Sequence, residues 1–596
     1  MTINERLSAL RERMKQEGID MYIIFSEDFH GSEYVGGYFG CREFISGFTG
    51  SAGTVVVGMD EAGLWTDGRY FLQAASQLEG TGIELFRMGN EGVPAVEEFV
   101  RDKLPAGGCL GMDGRTISAA LGRKYAKICP CLRTDVDLVG DIWEDRPLLS
   151  NKKAWLLSER YTGQTRQSRI SDLAAFLRSR GADSMAVSSL DDICWLLNIR
   201  GDDVLDNPVV LAYMMVFCHG GVTLYADERK FLQADRAVLD QAGVTIAPYD
   251  RFYEDLSKLP DGWTLMLDSR ALNYAAVCTL PEGVNVIDET DRIMLSKARK
   301  NPVEIENLKK AHLKDGIALT RFMYWLKTNA GKTPMTEIST AQKLESFRRQ
   351  QEGYIEPSFE PISAYGPHGA IVHYSATEES NARIEPRGLL LMDTGGQYYE
   401  GTTDVTRTFV MGPLSRDEKF YFTQVLRGNL NLAAARFLYG CRGSNLDHLA
   451  REPLWQLGLD YKHGTGHGVG YLLGVHEKPN AFRWKIDAGN VDASDAVLEE
   501  GMVTSDEPGL YLAGRFGIRH ENLTVCVKDI KNEYGQFMKF ETLTLCPFDL
   551  DGVDPGLMTE KERNLLNDYH QRIYETIGPH IPENEREWLK NATRRI

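Results

Sequence analysis

The chain has 596 residues, a formal net charge of −18 and a charged-residue content of 26%. This length is too great for one hydrophobic core and predicts several domains. The negative charge disfavours nucleic acid or an anionic membrane as a partner, because both are themselves negative. No apolar run approaches the roughly 20 residues of a membrane-spanning helix, and the composition is typical of a soluble globular protein.

The N-terminal residues 1–18 predict an amphipathic helix with Leu7, Leu10 and Met14 on one face. They lack the apolar centre of a secretory signal. Ten cysteines are scattered through the chain at a density too low for a disulfide scaffold. The pair Cys129-Pro-Cys131 has no second pair that would complete a metal site, so we interpret it as structural. A reducing cytoplasm is the expected compartment.

Two stretches of the N-terminal half repeat each other at similar separations. Each half predicts an amphipathic helix that ends at glycine, and later a strand that ends near aspartate and leads into a helix. Alternating helices and strands predict a mixed sheet with helices packed on it. We therefore predict two duplicated α/β domains, residues 1–150 and 151–300. The repeated pairs are Arg6–Gly18 with Arg169–Gly181, and Leu64–Ala74 with Leu224–Ala234.

The second half opens with a strong helix-start signal. Residues 301–304 are Asn-Pro-Val-Glu, which supplies an N-cap, a proline at the first helical position and the acid of a capping box. Capping boxes also predict helices that begin after Ser415 and Thr559. Long helices mixed with antiparallel strands predict an α+β domain over residues 301–596, of which 530–596 form a C-terminal extension.

Four runs predict strands in this last domain: Leu389–Asp393, Thr402–Met411, Ile518–Val527 and Phe540–Cys546. The first is apolar and is expected to be buried, whereas the second alternates and is expected to be half-buried. A glycine-rich hairpin is expected to join these two strands, which would then pair antiparallel. The third run is expected to be one continuous strand that carries Glu521 on the same face as two apolar residues.

Five potential metal ligands lie on these runs and in two short glycine-containing motifs. Four carboxylates and one imidazole match the hard oxygen ligands and the single nitrogen that a pair of divalent cations requires. A buried carboxylate on a strand is costly unless a cation neutralises it. Each residue alone has an ordinary structural explanation, but the ordered set indicates a metal centre. The five residues are Asp393, Asp404, His467, Glu507 and Glu521.

The motifs around these residues resemble the pita-bread metallopeptidase family, which includes methionine aminopeptidase, prolidase and aminopeptidase P. Within it they are most similar to the long, three-domain, cytosolic type of Xaa-Pro aminopeptidase, and the resemblance extends over nearly the whole chain. It implies two creatinase-like α/β domains followed by a pita-bread catalytic domain. The motifs are Gly369–Tyr374, Gly401–Thr408, His463–Gly470, Val475–Glu477 and Asp506–Gly509.

The resemblance implies how the five ligands are shared between two metal ions. Asp393 binds one ion, His467 and Glu507 bind the other, and Asp404 and Glu521 bridge both. Ions about 3.5–4 Å apart can share a water and hold it as a hydroxide that attacks the N-terminal Xaa-Pro peptide bond. Ligation rich in oxygen favours Mn²⁺, because structural zinc sites prefer sulfur and nitrogen.

Three further histidines are candidates for catalysis. Seven of the chain's 12 histidines lie between residues 368 and 520, and this clustering argues against the usual structural role of a lone histidine. Histidine can donate to a developing oxyanion or carry a proton near neutral pH. The resemblance implies that His373 and His463 contact the substrate and the transition state, and that His476 binds the proline side of the scissile bond.

Several other residues are candidates for substrate contact or support. A proline ring needs apolar or aromatic walls, for which we consider Tyr374, Tyr511 and Phe516, with core packing as an equal alternative. Arg519 is expected to bind a ligand carboxylate or the neighbouring Asp404 and to orient it without binding the metal itself.

Two other residues are considered for a role near the site. Arg69 lies in the repeated Asp-Gly-Arg segment, where it either reaches the cleft of a neighbouring subunit or forms a turn-stabilising pair with Asp67. His520 stands beside Glu521 where the family usually has an aliphatic residue. Alternation along the strand points its side chain away from Glu521.

Two alternatives to an Xaa-Pro aminopeptidase that acts on peptides with proline in second position remain. A prolidase would be restricted to dipeptides, and a non-catalytic pita-bread module would only bind a partner. The duplicated N-terminal domains and the His-Gly-Thr-Gly-His-Gly-Val-Gly form of residues 463–470 favour the aminopeptidase over the prolidase. The intact ligand set disfavours the binding module. The resemblance also implies a homodimer.

Overall fold

The computed structural model describes residues 1–486 and 494–596. The chain folds into two compact units, Met1–Ile293 and Met294–Ile596. The first unit is built on two six-stranded sheets, and the second contains sheets of six, three, three and two strands. Across the described residues, no helix is both long enough and apolar enough to cross a membrane.

Six strands form the first sheet of the first unit: β1 (Met21–Ile24), β2 (Thr54–Gly58), β3 (Ala62–Thr66), β4 (Glu84–Arg87), β5 (Cys109–Met112) and β6 (Cys131–Arg133). Their order is β4-β3-β2-β1-β5-β6. The pairs β1–β2 and β2–β3 are antiparallel, and the other three are parallel. The accompanying helices are Ile3–Glu17, Cys41–Ser46, Phe71–Gln77, Val96–Lys103, Ala119–Ile128 and Leu138–Ile142.

The second sheet repeats this arrangement. Its strands are β8 (Ser184–Val187), β10 (Tyr213–Phe217), β11 (Val222–Tyr225), β12 (Val244–Ala247), β13 (Thr264–Leu267) and β14 (Asn285–Asp288). A separate small pair consists of β7 (Ala154–Leu156) and β9 (Ile199–Gly201). The order β12-β11-β10-β8-β13-β14 has the same pattern of strand directions as the first sheet, which confirms the predicted duplication. The helices are Glu159–Thr162, Arg166–Arg180, Leu190–Leu197, Gln233–Gln241, Arg251–Ser257, Tyr274–Cys278 and Arg292–Ala298.

One turn recurs at equivalent places in both sheets, after β3 and β5 and after β11 and β13. An aspartate begins the turn, and the arginine two residues later folds back onto that carboxylate. The aspartate also accepts the arginine's backbone N–H. Arg69 therefore forms the turn-stabilising pair that was one of its two predicted roles. The four pairs are Asp67–Arg69, Asp113–Arg115, Asp227–Arg229 and Asp268–Arg270.

The first helix and the cysteines of this unit show one confirmed prediction and one surprise. Helix Ile3–Glu17 buries Leu7, Leu10 and Met14 as predicted. Cys109 and Cys131 stand opposite each other on β5 and β6 and are joined by a disulfide. The sequence spacing did not predict this pairing, because the two residues meet only when the parallel strands align.

The strands of the second unit are β15 (Tyr354–Pro357), β16 (Ile362–Tyr365), β17 (Leu389–Thr394), β18 (Gly396–Tyr398), β19 (Gly401–Thr402), β20 (Val405–Val410), β21 (Arg436–Leu438), β22 (Gly466–Gly468), β23 (Glu477–Phe482), β24 (Val503–Asp506), β25 (Gly509–Leu512), β26 (Phe516–Arg519), β27 (Asn522–Asn532) and β28 (Gly535–Thr542). The sheet orders are β15-β18-β19, β16-β17-β20, β21-β28-β27-β24-β22-β23 and β25-β26. The principal helices are Pro302–Asn329, Glu337–Arg348, Arg416–Ala433, His448–Trp455, Glu560–Ile577 and Glu583–Ala592.

Local signals in this unit were predicted well. The capping boxes at Asn301, Ser415 and Thr559 all form and begin helices. β17 and β20 pair antiparallel through the hairpin of β18 and β19, as predicted. The half-buried prediction for β20 is wrong, since all of its residues are buried. Val405 and Phe409 enter an apolar cluster on one face, while its threonines contact other strands on the opposite face.

The run Ile518–Val527 is not the single strand that alternation predicted. It divides at His520 and Glu521 into β26, which pairs with β25, and β27, which belongs to the six-stranded sheet. At the break the Glu521 N–H donates to the Thr406 carbonyl at 3.1 Å, so the chain crosses from one sheet to another. The prediction Phe540–Cys546 is also wrong in extent, because β28 ends at Thr542.

Candidate metal centre

The five predicted ligands lie within or directly beside strands of the second unit. Asp393 is the penultimate residue of β17, and Asp404 immediately precedes β20. His467 is the central residue of β22, and Glu507 follows β24 directly. Glu521 occupies the break between β26 and β27. This break turns the Glu521 carboxylate toward the β17–β20 pair, where it accepts a hydrogen bond from Thr406 Oγ1 at 2.8 Å.

These side chains converge on one point. His467 Nε2 lies 3.5 Å from Asp404 Oδ2 and 3.4 Å from Glu507 Oε1. One ligand atom from each of Asp404, His467 and Glu521 falls within 4.8 Å of the others. The charge of Asp393 acts on Asp404, Glu507 and Glu521 alike. The structure thus brings Asp404, His467, Glu507 and Glu521 close together within the charge of Asp393, although the five residues are spread over more than a hundred residues of sequence.

Burial raises the pKa of Asp404, Glu507 and Glu521, and repulsion among the carboxylates raises it further. For Glu507 the pKa reaches about 7. Asp393 Oδ1 is buried and accepts no hydrogen bond within the described part of the chain. Buried acids that repel each other and lack donors are what divalent cations stabilise. The oxygen-rich donor set therefore fits a metal centre.

His467 is oriented so that one nitrogen is available as a ligand. Its Nδ1 lies 2.9 Å from the Gly468 carbonyl, which can only accept, so Nδ1 carries the hydrogen. Nε2 then presents its lone pair toward Asp404 and Glu507. The backbone N–H of His467 donates to Ser505 Oγ, and that hydroxyl also lies 3.3 Å from Glu507 Oε1. The backbone and side chains together fix the imidazole in a metal-binding tautomer.

A chain of hydrogen bonds joins Asp393 to His463. Arg519 Nη2 donates to Asp393 Oδ2 at 2.6 Å, and its Nη1 donates to Tyr511 Oη at 2.7 Å. Tyr511 Oη lies 2.8 Å from His463 Nε2. Because His463 Nδ1 donates to the Gly464 carbonyl, Nε2 accepts the tyrosine hydrogen. Of the partners predicted for Arg519, Asp393 is the one to which it donates a hydrogen bond.

Of the other two catalytic candidates, His476 lies at this centre. The His476 ring centroid is 4.3 Å from that of His467, and its charge acts on Glu507. His373 directly follows Val372, whose carbonyl accepts a hydrogen bond from Arg519 Nη1 at 3.4 Å. The segment that carries His373 is therefore attached to the same arginine that holds Asp393.

Like Tyr511, the other two predicted aromatic walls have contacts within the fold. Tyr374 is buried, and its hydroxyl donates to Glu337 or Ser380. Phe516 lies in an apolar core cluster of this unit. Glu337, which the sequence did not single out, is fully buried and also accepts the backbone N–H groups of Tyr365 and Ala382 and the ring of His368. It thereby fixes both ends of the segment that contains His373.

A second buried acid fixes the loop of His463. Asp447 and Arg451 form a salt bridge of 2.7 Å on the helix His448–Trp455 and its N-cap, with both side chains buried. Asp447 accepts the Thr465 hydroxyl, while Arg451 donates to the carbonyls of Tyr461 and His463. The sequence shows the i, i+4 spacing of Asp447 and Arg451. It does not show that both side chains are buried or which loop residues they contact.

Four family models together match most of the chain. The creatinase/prolidase N-terminal domain matches residues 6–147 and again, as a second model, residues 145–304. Metallopeptidase family M24 matches residues 306–529, and the C-terminal region of peptidase M24 matches residues 536–596.

Full-length relatives agree with these matches. Aminopeptidase P2 of Arabidopsis thaliana is 37% identical over 100% of this chain and 89% of its own. Xaa-Pro aminopeptidase 1 of Dictyostelium discoideum is 36% identical over 100% of this chain and 97% of its own. The X-prolyl aminopeptidase of Caenorhabditis elegans, a cytosolic enzyme with a di-nuclear active site, is 34% identical, covers 100% of both chains and superposes with a TM-score of 0.94. The chain therefore belongs to the Xaa-Pro aminopeptidases of metallopeptidase family M24.

Proposed function

We propose that this chain is a dinuclear-metal aminopeptidase that hydrolyses the N-terminal Xaa-Pro bond of peptides. The observation that carries the proposal is the close approach of three buried carboxylates, those of Asp404, Glu507 and Glu521, to His467. The charge of Asp393 acts on all three acids. The di-nuclear site of the C. elegans relative supports the same stoichiometry.

The proposed ligand assignment is the one that the family resemblance implies. Asp393 would bind one ion, His467 and Glu507 the other, and Asp404 and Glu521 both. When bound, two such cations lower the pKa of a shared water so that hydroxide is available near neutral pH. We propose Mn²⁺ because the donor set is dominated by carboxylate oxygen.

The remaining residues orient groups and move protons. The proline nitrogen carries no hydrogen in the peptide bond, so it must gain one when it leaves. His373 and His463 are proposed to contact the substrate and the transition state, and His476 to bind the proline side of the scissile bond. Arg519 holds Asp393 in place. Tyr511 donates a hydrogen bond to Nε2 of His463 and so orients its ring.

Hydrolysis by metal-stripped protein, with and without added Mn²⁺, tests the metal requirement. We expect cleavage of an Arg-Pro-Pro peptide to be restored only when the metal is returned. Stoichiometric metal in the purified protein is also expected. A non-catalytic pita-bread module would bind no stoichiometric metal and would cleave no peptide under either condition.

Comparison of Gly-Pro with Arg-Pro-Pro separates the aminopeptidase from a prolidase. We expect kcat/KM to be greater for the tripeptide, because the aminopeptidase accepts chains that extend beyond proline. Preference for the dipeptide, with little cleavage of the longer substrate, would contradict the proposal and support a prolidase instead.

Replacing Tyr511 with phenylalanine is expected to reduce kcat about 100-fold, within the range for loss of assisted proton transfer. The change leaves His463 Nε2 and Arg519 without their shared partner, but removes no metal ligand. The metal content should therefore stay unchanged. The control is Tyr534→Phe, because Tyr534 is 74% exposed. An unchanged kcat and pH profile in the Tyr511 variant would show that this hydroxyl has no part in the reaction.

The homodimer and the cytoplasmic location are proposed from the family resemblance. Sedimentation of the purified protein tests the first, and fractionation of cells tests the second.

A further inference from the structure

Arg407 of β20 is a buried cation that lies directly behind the candidate metal centre. Its side chain is almost completely enclosed, since the residue is only 2% exposed. Its guanidinium donates to the carbonyls of Glu521 at 2.5 Å, Cys546 at 2.7 Å and Pro547 at 3.1 Å. It thus binds the backbone of a proposed bridging ligand while the carboxylate of that residue faces Thr406.

The charge of Arg407 is stabilised without a carboxylate. Its other partners are the Thr406 carbonyl, Asn522 Oδ1 and Tyr569 Oη, and the Phe548 ring lies 4.0 Å away. In the part of the chain that the structure describes, it forms no ion pair. A buried cation is costly unless every donor is satisfied. These neutral acceptors therefore stabilise the guanidinium in the position from which it donates to the Glu521 carbonyl.

The C-terminal helix Glu560–Ile577 supplies two of the groups that complete this arrangement. Tyr569 Oη accepts from Arg407 Nη2 at 3.0 Å and lies 3.0–3.1 Å from Asn522 Oδ1, the Thr544 carbonyl and the Cys546 carbonyl. His570 Nε2 accepts the Phe548 N–H at 3.1 Å, which fixes the segment that Arg407 binds.

The neighbouring His520 shows how apolar this region is. Its ring packs 4.3 Å from Phe422 and 5.5 Å from Phe548. Burial of this kind strengthens the hydrogen bonds of the guanidinium and penalises the loss of any one.

We propose that Tyr569 is a positioning residue through which the C-terminal region supports metal binding. Its hydroxyl holds the Arg407 guanidinium, which in turn holds the main chain of Glu521, so that the bridging carboxylate points at the metal position. The inference rests on the proposed metal centre. It assigns the C-terminal extension a role in the site itself, for which the sequence offered no chemistry.

The test is the affinity of the full-length Tyr569→Phe variant for Mn²⁺ alone, measured by competition with a chromophoric chelator. We expect the dissociation constant to rise about 10-fold, as is common when a supporting partner of a metal ligand is lost. Tyr574→Phe is the matched control, because Tyr574 lies on the same helix and packs in an apolar cluster. Its dissociation constant should change less than 2-fold.

Arg407→Lys is the second variant, since lysine keeps the charge but cannot span the same partners. It should bind Mn²⁺ more weakly than Tyr569→Phe. If the unmodified protein binds no Mn²⁺, the proposed function fails. If it binds Mn²⁺ and Tyr569→Phe binds it equally well, the inference alone is overturned, whether or not the melting temperature of the metal-free variant has fallen.

Discussion

Replacing Glu521 with glutamine is expected to reduce hydrolysis of a proline-second peptide by about 1,000-fold or more, which corresponds to about 4 kcal/mol of transition-state stabilisation. Glu521 is the proposed bridging ligand that enters the centre from the break between β26 and β27. A neutral amide would bind a divalent cation more weakly than a carboxylate and could not share its charge between two ions. Peptide hydrolysis and metal content, measured on the same preparation, check this expectation.

The metal-free form of the Glu521 variant is expected to show the opposite effect on stability. Repulsion from Asp404, Asp393 and Glu507 raises the pKa of Glu521 beyond the effect of burial. A neutral residue at this position relieves that electrostatic repulsion. The melting temperature without metal should rise, while the increase produced by Mn²⁺ should shrink. The control is Glu500→Gln, which removes an exposed acid paired with Lys528. Retention of more than a tenth of the activity would exclude an essential ligand role for Glu521.

The second large effect is a pH dependence of the metal-free protein that originates at Glu507. Its folded-state pKa is about 7, against an ordinary value of 4.5. The folded state therefore holds a proton that the unfolded chain has released. The associated stability is fully present below pH 4.5 and is lost as pH rises to about 7. The difference amounts to about 3 kcal/mol.

A difference measurement isolates this contribution from other titrating groups. Acids with lowered pKa, such as Asp227 and Asp135, are ionised in both states above pH 5 and contribute little to this difference. Urea unfolding of the metal-free protein and of Glu507→Gln at pH 5 and pH 7 should show that the variant lacks about 2 kcal/mol of the decline. Added Mn²⁺ should stabilise the unmodified protein most at pH 7. Equal pH dependence in the two proteins would refute the raised pKa.

Much of the fold and of the site could be predicted from the sequence because the signals are local. A capping box such as that at Asn301 depends on four consecutive residues, and the β17–β20 hairpin depends on a short glycine-rich connection. The five candidate metal ligands were predicted because four carboxylates and one imidazole suit a pair of divalent cations, and because the motifs around them resemble those of a known metallopeptidase family. Predicting them required only the residues on either side of each one, and not the packing of distant elements.

The errors concern long-range contacts. Alternation over Ile518–Val527 correctly indicates extended chain, but it carries no information on which sheet each residue joins. The break at Glu521 follows from a hydrogen bond to Thr406, more than a hundred residues earlier. Likewise Glu337 and Asp447 look like ordinary helix-start acids in the sequence. Their functions arise from the distant loops whose donors they accept.

The recurring aspartate–arginine turn bears on the ancestry of the first unit. Both halves contain it twice, at matching positions in sheets of identical strand order. Independent origin of four copies is less economical than inheritance from one ancestral domain that already had two. On this history the turn is older than the gene duplication. Replacing Arg229 should then affect folding in the same way as replacing Arg69. Any effect that is seen only when Arg69 is replaced would indicate a function that this copy acquired after the duplication.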